Sequence, residues 1–118
     1  MTTRAGEPLF VLHDHRKPQP HFDLRLEEGG VLRSWALPKG LPTSPRQNRL
    51  AIEVPDHDLD HADYEDADKS IADTGWWEES DRNERRIVFV LHGRDSARSY
   101  ALIRTDRDWL LHLTKDQP

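Results

Sequence analysis

The chain contains no cysteine, only one methionine and no long apolar run. Without thiols it cannot form disulfides, bind a metal through thiolates or use a cysteine nucleophile. No apolar stretch approaches the roughly 20 residues of a membrane-spanning helix, and the N-terminus lacks the apolar core of a signal peptide. These absences predict a cytoplasmic protein without a membrane partner.

Sustained helical periodicity is missing as well. Short apolar segments alternate with turn residues instead, and they predict strands at 9–13, 21–27, 31–37, 49–54, 86–92, 99–104 and 109–114. The residues Glu28-Gly29-Gly30 predict a β-hairpin between the second and third strands. We therefore expect a single all-β or mainly β domain over residues 1–118, an antiparallel barrel or sandwich with short helical turns. Residues 1–8 are expected to form a flexible tail.

Negative charge is concentrated in one segment. The net charge is −5, and residues 56–84 hold twelve Asp or Glu against two basic residues, Lys69 and Arg82. Outside that segment basic residues outnumber acidic ones, 15 to 10. This distribution predicts a long acidic loop. The negative net charge argues against non-specific coating of DNA. The more basic remainder of the chain leaves a surface on which a nucleic-acid end can dock.

Residues 21–25 (HFDLR) contain the highest density of side chains that could bind a metal or an anion. On a strand, His21, Asp23 and Arg25 point to one face and Phe22 to the other. His15 is expected to join them from the preceding loop. Imidazole and carboxylate ligands suit Mn²⁺, Fe²⁺ or Zn²⁺, and two His with one Asp leave coordination positions open for catalysis. The competing interpretation is a polar surface face without a metal.

Further candidates follow on the next elements. His57 and His61 lie in the acidic segment 56–66, which predicts a raised pKa for both imidazoles. Protonated, either ring could donate to a phosphate oxygen or act as a general acid. Arg25 and Arg49 offer guanidinium groups that bind phosphate bidentately, with a salt bridge to a nearby glutamate as the alternative.

Residues 10–42 contain a His at 15, then HFDLRLE at 21–27, a Gly turn, and SWALPKG at 34–40. This pattern resembles the 3′-phosphoesterase domain of bacterial DNA ligase D, the end-joining ligase, and of its free-standing homologues. The likeness continues through RLA at 49–51 and DH at 56–57, and returns in WLL at 109–111.

This resemblance implies a small β-barrel with a crevice that holds one ion, Mn²⁺ being expected and Zn²⁺, Co²⁺ or Fe²⁺ the alternatives. By position, the metal ligands are His15, His21 and Asp23, and the phosphate-binding groups are Arg25, Arg49 and His57. The family trims DNA or RNA primer 3′ ends: it removes a terminal ribonucleotide and then the 3′-phosphate. A DNA ligase or polymerase of end joining is the implied protein partner.

Three departures from the family pattern keep alternatives open. His61 stands where the family has Tyr, and the Gly-rich segment of the family is missing between Tyr64 and Trp76. A Lys common near the C-terminal strand of the family is replaced around His112 and Leu113. A binder of nucleic-acid 3′ ends with weak or no catalysis is therefore the second hypothesis. A third is an Fe²⁺ oxygenase that uses His21, Asp23 and His57 as a facial triad.

Overall fold

A computed structural model describes residues 6–118, which form eight strands and one 3₁₀ helix. The strands are β1 (Leu9–His15), β2 (His21–Glu28), β3 (Val31–Leu37), β4 (Asn48–Asp58), β5 (Lys69–Asn83), β6 (Arg86–His92), β7 (Ala97–Arg104) and β8 (Trp109–Leu113). The 3₁₀ helix, Leu59–Asp63, follows β4 directly. Most of the predicted tail, residues 1–5, lies outside the described residues. No helix within residues 6–118 is long and apolar enough to cross a membrane.

The strands close into an antiparallel barrel in the order β1-β2-β3-β4-β8-β7-β6-β5, with β5 pairing back onto β1. The all-β prediction is confirmed, and of its two architectures the barrel is the one observed. Every predicted strand is present, and the short helical turn expected between strands is the 3₁₀ helix.

The predicted long acidic loop is wrong over most of its length. Residues 69–83 form β5, the longest strand, which pairs with β1 on one side and β6 on the other. Apolar and polar residues alternate only weakly along β5. Both of its ladders contain register shifts, and residues 78–83 are exposed on both faces. Backbone pairing with two neighbours stabilises this strand where no apolar stripe does. The remaining loop is 59–68.

The main core fills the barrel, and a second, smaller core lies on its outer wall. Inside, the largest fully buried side chains include Trp35, Phe89 and Leu102. The outer cluster consists of Leu9, Val11, Leu32 and Ala62, with Ile71 packed against it. Because Ala62 belongs to the 3₁₀ helix, this cluster holds the 59–68 segment over β1 and β3. We call that segment the cover.

Candidate active site

Strands β1 and β2 bring five polar side chains together on the outer wall. Their register pairs His15 with His21, His13 with Asp23, and Val11 with Arg25. These positions alternate with the core residues of both strands, so the polar side chains point away from the barrel interior. His15 is the last residue of β1, so the prediction that it enters from a loop is wrong.

Asp23 is the centre of the group. It is 5% exposed, with one carboxylate oxygen, Oδ2, 3.4 Å from His15 Nδ1 and the other, Oδ1, 3.4 Å from His21 Nε2. Both separations exceed the roughly 2.7–3.2 Å of an N–H···O hydrogen bond. The ligand atoms of these three residues all lie within 4.8 Å of one another.

A hydrogen bond to the backbone orients the His21 ring as a metal ligand. Its Nδ1 is 2.8 Å from the Gln19 carbonyl oxygen, which can only accept, so Nδ1 carries the proton. In the neutral ring, Nε2 then turns a lone pair towards the Asp23 carboxylate. Facing lone pairs repel each other unless a cation lies between them.

The donor set therefore fits a divalent ion. Donor atoms about 2.1 Å from a tetrahedral ion lie about 3.4 Å from one another, and the two Asp23 oxygens are each 3.4 Å from a histidine nitrogen. A backbone carbonyl on the other ring nitrogen is also a usual outer partner of a metal-binding histidine.

Arg25 is held rigidly beside this group. It is 2% exposed and donates from Nε to His13 Nδ1 at 3.2 Å, from Nη1 to Ser34 Oγ at 2.9 Å and from Nη2 to Asp23 Oδ2 at 3.3 Å. Burial lowers the pKa of Arg25 and the Asp23 carboxylate opposes that effect. These contacts use three of the five N–H groups of a guanidinium and leave two for an oxyanion.

His13 was missed by the sequence reasoning. It is fully buried, accepts from Arg25 at Nδ1 and therefore donates from Nε2 to the Tyr64 carbonyl at 2.9 Å. Burial lowers its pKa to about 4, with Arg25 adding to the effect. It links the guanidinium to the cover. Its position two residues before His15, on the same strand face, was the available signal.

His57 and His61 approach from the end of β4 and from the cover. Their rings stack 4.2 Å apart, and His61 also stacks on Tyr64 at 5.0 Å. Burial first, then Arg25 and Lys69, lowers the pKa of both, that of His61 to about 4. The predicted raised pKa is wrong because desolvation of the two rings, together with the nearby cations, outweighs the exposed acids of this segment.

The positions of Arg49 and Lys69 were not expected from the sequence: Arg49 was predicted to lie at the site, and Lys69 was not. Arg49 shares its strand face with Ala51, which is buried in the barrel core, and it donates to Gln47 Oε1 at 3.1 Å. The structure does not bring Arg49 to the group around Asp23. Lys69, by contrast, arrives there through the pairing of β5 with β1, and nothing in its acidic neighbourhood predicted it.

Comparison with known proteins identifies the family. The pattern described as "DNA Ligase D 3′-phosphoesterase domain" matches residues 13–104 of the chain. The chain belongs to this family. The match extends from His13 on β1 to the end of β7, so it includes every residue of the group described above.

The named relatives of this chain are much longer proteins. The multifunctional non-homologous end joining protein LigD of Mycobacterium bovis is 40% identical over 122 residues, covering 92% of this chain and 16% of the relative. The proteins of the same name from Mycolicibacterium smegmatis and Pseudomonas aeruginosa are 36% and 33% identical, covering 92% and 95% of this chain. They are covered over 17% and 16% of their own length. The chain thus spans about a sixth of these relatives.

Proposed function

We propose that the protein is a metal-dependent phosphoesterase that processes the 3′ ends of nucleic-acid primer strands in DNA end repair. It would remove a terminal ribonucleotide and then the remaining 3′-phosphate. One observation carries the proposal: the donors of His15, His21 and Asp23 converge within 4.8 Å beside a fixed guanidinium. Family membership and the end-joining names of the relatives support the substrate and the pathway.

His15, His21 and Asp23 would hold the ion, with Mn²⁺ expected and Zn²⁺, Co²⁺ or Fe²⁺ as alternatives. When bound, such an ion neutralises phosphate charge and lowers the pKa of a coordinated water. The donor set of two histidines and one carboxylate would also suit the oxygenase hypothesis, although with His15 in place of His57. The match to the phosphoesterase family is what favours hydrolysis.

Arg25 would bind the non-bridging oxygens of the scissile phosphate with its two remaining N–H groups. His13, Ser34 and Asp23 fix the guanidinium plane before substrate arrives. A donor fixed in advance stabilises the charge that grows on those oxygens without reorganisation during the reaction.

His57 would donate to the leaving oxygen, assisted by His61. In the free protein both rings are biased towards the neutral form by burial and by Arg25 and Lys69. A bound phosphate counters these two cations and so favours protonation at His57. Arg49 stays a prediction of the resemblance, because its side of β4 faces away from this group.

The test uses two 5′-labelled primers, one ending in a single ribonucleotide and one in a 3′-phosphate, incubated with Mn²⁺ or with EDTA. We expect both primers to be converted to a 3′-hydroxyl end with Mn²⁺ only. Asp23→Asn should abolish conversion, whereas Asp95→Asn, a change at an exposed turn residue, should not. Tight, salt-sensitive primer binding without product under any divalent ion would overturn the proposal in favour of the end-binding alternative.

A further inference from the structure

Lys69 is the buried lysine of this protein. The chain has four lysines, and Lys17, Lys39 and Lys115 are exposed whereas Lys69 is 8% exposed. It is the first residue of β5 and lies opposite His15 in the β1–β5 ladder. Its ammonium group is therefore delivered to the strand face that carries the candidate metal ligands.

The Lys69 ammonium has no carboxylate within 4.0 Å among residues 6–118. The nearby Asp66 carboxylate is engaged elsewhere, since it accepts from the Tyr64 hydroxyl at 2.6 Å and from the Asp68 amide at 2.8 Å. Buried lysines are rare unless they are paired, because desolvating an isolated ammonium is costly. An anion from outside the chain would supply the missing partner.

The contacts that Lys69 does make fix its direction. Its Nζ lies 3.2 Å from His61 Nε2 and 5.6 Å from the centre of the Tyr64 ring. An ammonium can only donate, so His61 accepts at Nε2 and carries its proton on Nδ1. The His61 ring is itself held between His57 and Tyr64. Two N–H groups of Lys69 remain available.

Positive charge around Asp23 exceeds what one carboxylate can balance. Arg25 and a bound divalent ion would both share the Asp23 carboxylate, while Lys69 has no carboxylate of its own. A terminal phosphomonoester carries a charge of about −1.5 to −2 at pH 7, and a phosphodiester carries one negative charge. The phosphomonoester therefore balances the surplus positive charge better than the phosphodiester does.

We propose that Lys69, oriented by His61, binds substrate phosphate and favours the terminal 3′-phosphomonoester over the phosphodiester. This inference rests on the proposed function and assigns its second step to a specific side chain. Because Coulomb attraction scales with ligand charge, loss of the ammonium costs a dianion about twice the free energy that it costs a monoanion.

The first test follows both steps on one primer that ends in a single ribonucleotide. Removing Lys69 should slow 3′-phosphate removal by roughly 10- to 100-fold, the range expected for one lost charged hydrogen bond. Ribonucleotide removal should slow only by roughly 3- to 10-fold. Lys69→Met should therefore accumulate the 3′-phosphate intermediate, whereas the exposed Lys115→Met should match the wild type. Equal slowing of both steps, or of neither, overturns the inference.

The second test needs neither catalysis nor a variant. Wild-type protein labelled with ¹⁵N-lysine is titrated with inorganic phosphate in EDTA, and the four Nζ resonances are followed. We expect the Lys69 resonance to shift with saturation and the three exposed lysines to stay in place. An unmoved Lys69 signal overturns the inference even if Lys69→Met fails to fold. An inactive wild type with a saturable Lys69 shift would instead overturn the proposed function and leave the phosphate site standing.

Discussion

Replacing Arg25 tests whether the candidate site also stabilises the fold. Arg25→Met removes a buried cation that donates to His13, Ser34 and Asp23. It leaves the 5%-exposed Asp23 carboxylate without its guanidinium partner. Breaking a buried ion pair from one side costs about 3–5 kcal/mol. In metal-free buffer we therefore expect the free energy of unfolding to fall by that amount.

Urea unfolding followed by tryptophan fluorescence measures this change, with EDTA present throughout. Arg46→Met, at an exposed loop position, is the matched control and should lie within about 0.5 kcal/mol of wild type. Adding Asp23→Leu to Arg25→Met should recover part of the loss, because the stranded carboxylate is then gone, with a coupling of about 1–3 kcal/mol. A loss below about 1 kcal/mol in Arg25→Met would refute the assignment of a buried, paired guanidinium.

Two further predictions concern the loss of stability at low pH and the packing of the cover. The folded-state pKa of His13 is about 4 and its ordinary value 6.5, so the unfolded chain binds the proton first as pH falls. Stability from this residue is complete above pH 6.5 and is lost towards pH 4, by about 3 kcal/mol in metal-free protein. Urea unfolding of His13→Asn at pH 7.5 and 4.5 should show a correspondingly flatter pH dependence, and parallel profiles would contradict it. Leu32→Ala should cost about 2–5 kcal/mol because Leu32 is fully buried in the outer cluster. Faster hydrogen exchange at Ala62 and Tyr64 in that variant would show that the cover has loosened, and unchanged exchange would argue against this packing.

Local alternation was enough to predict most of the barrel and the centre of the site. Seven of the eight strands have apolar residues between tight turns, and the pattern at 21–25 places His21, Asp23 and Arg25 on one face. Strand β5 was not predicted from the sequence, because its pairing partners, rather than its own side chains, stabilise it. Lys69 was not predicted as a site residue for the same reason, since only closure of the barrel brings it beside His15.

Burial explains the remaining differences. The acids near His57 and His61 are close in sequence but exposed, whereas the partial burial of the two rings, reinforced by Arg25 and Lys69, lowers their pKa. The face of Arg49 follows from the same strand alternation, because Ala51 faces the barrel core and Leu50, 42% exposed, lies on the outer wall. Which face of β4 is the inner one becomes clear only once the barrel is assembled.

Titration of the metal-free protein with Mn²⁺, with free ion followed by electron paramagnetic resonance, tests the central claim most directly. We predict one bound ion per chain in the wild type and loss of that binding in Asp23→Asn, with the circular dichroism spectrum unchanged. Wild-type protein that takes up no Mn²⁺, Zn²⁺, Co²⁺ or Fe²⁺, or Asp23→Asn protein that binds Mn²⁺ as tightly as wild type, would contradict the account.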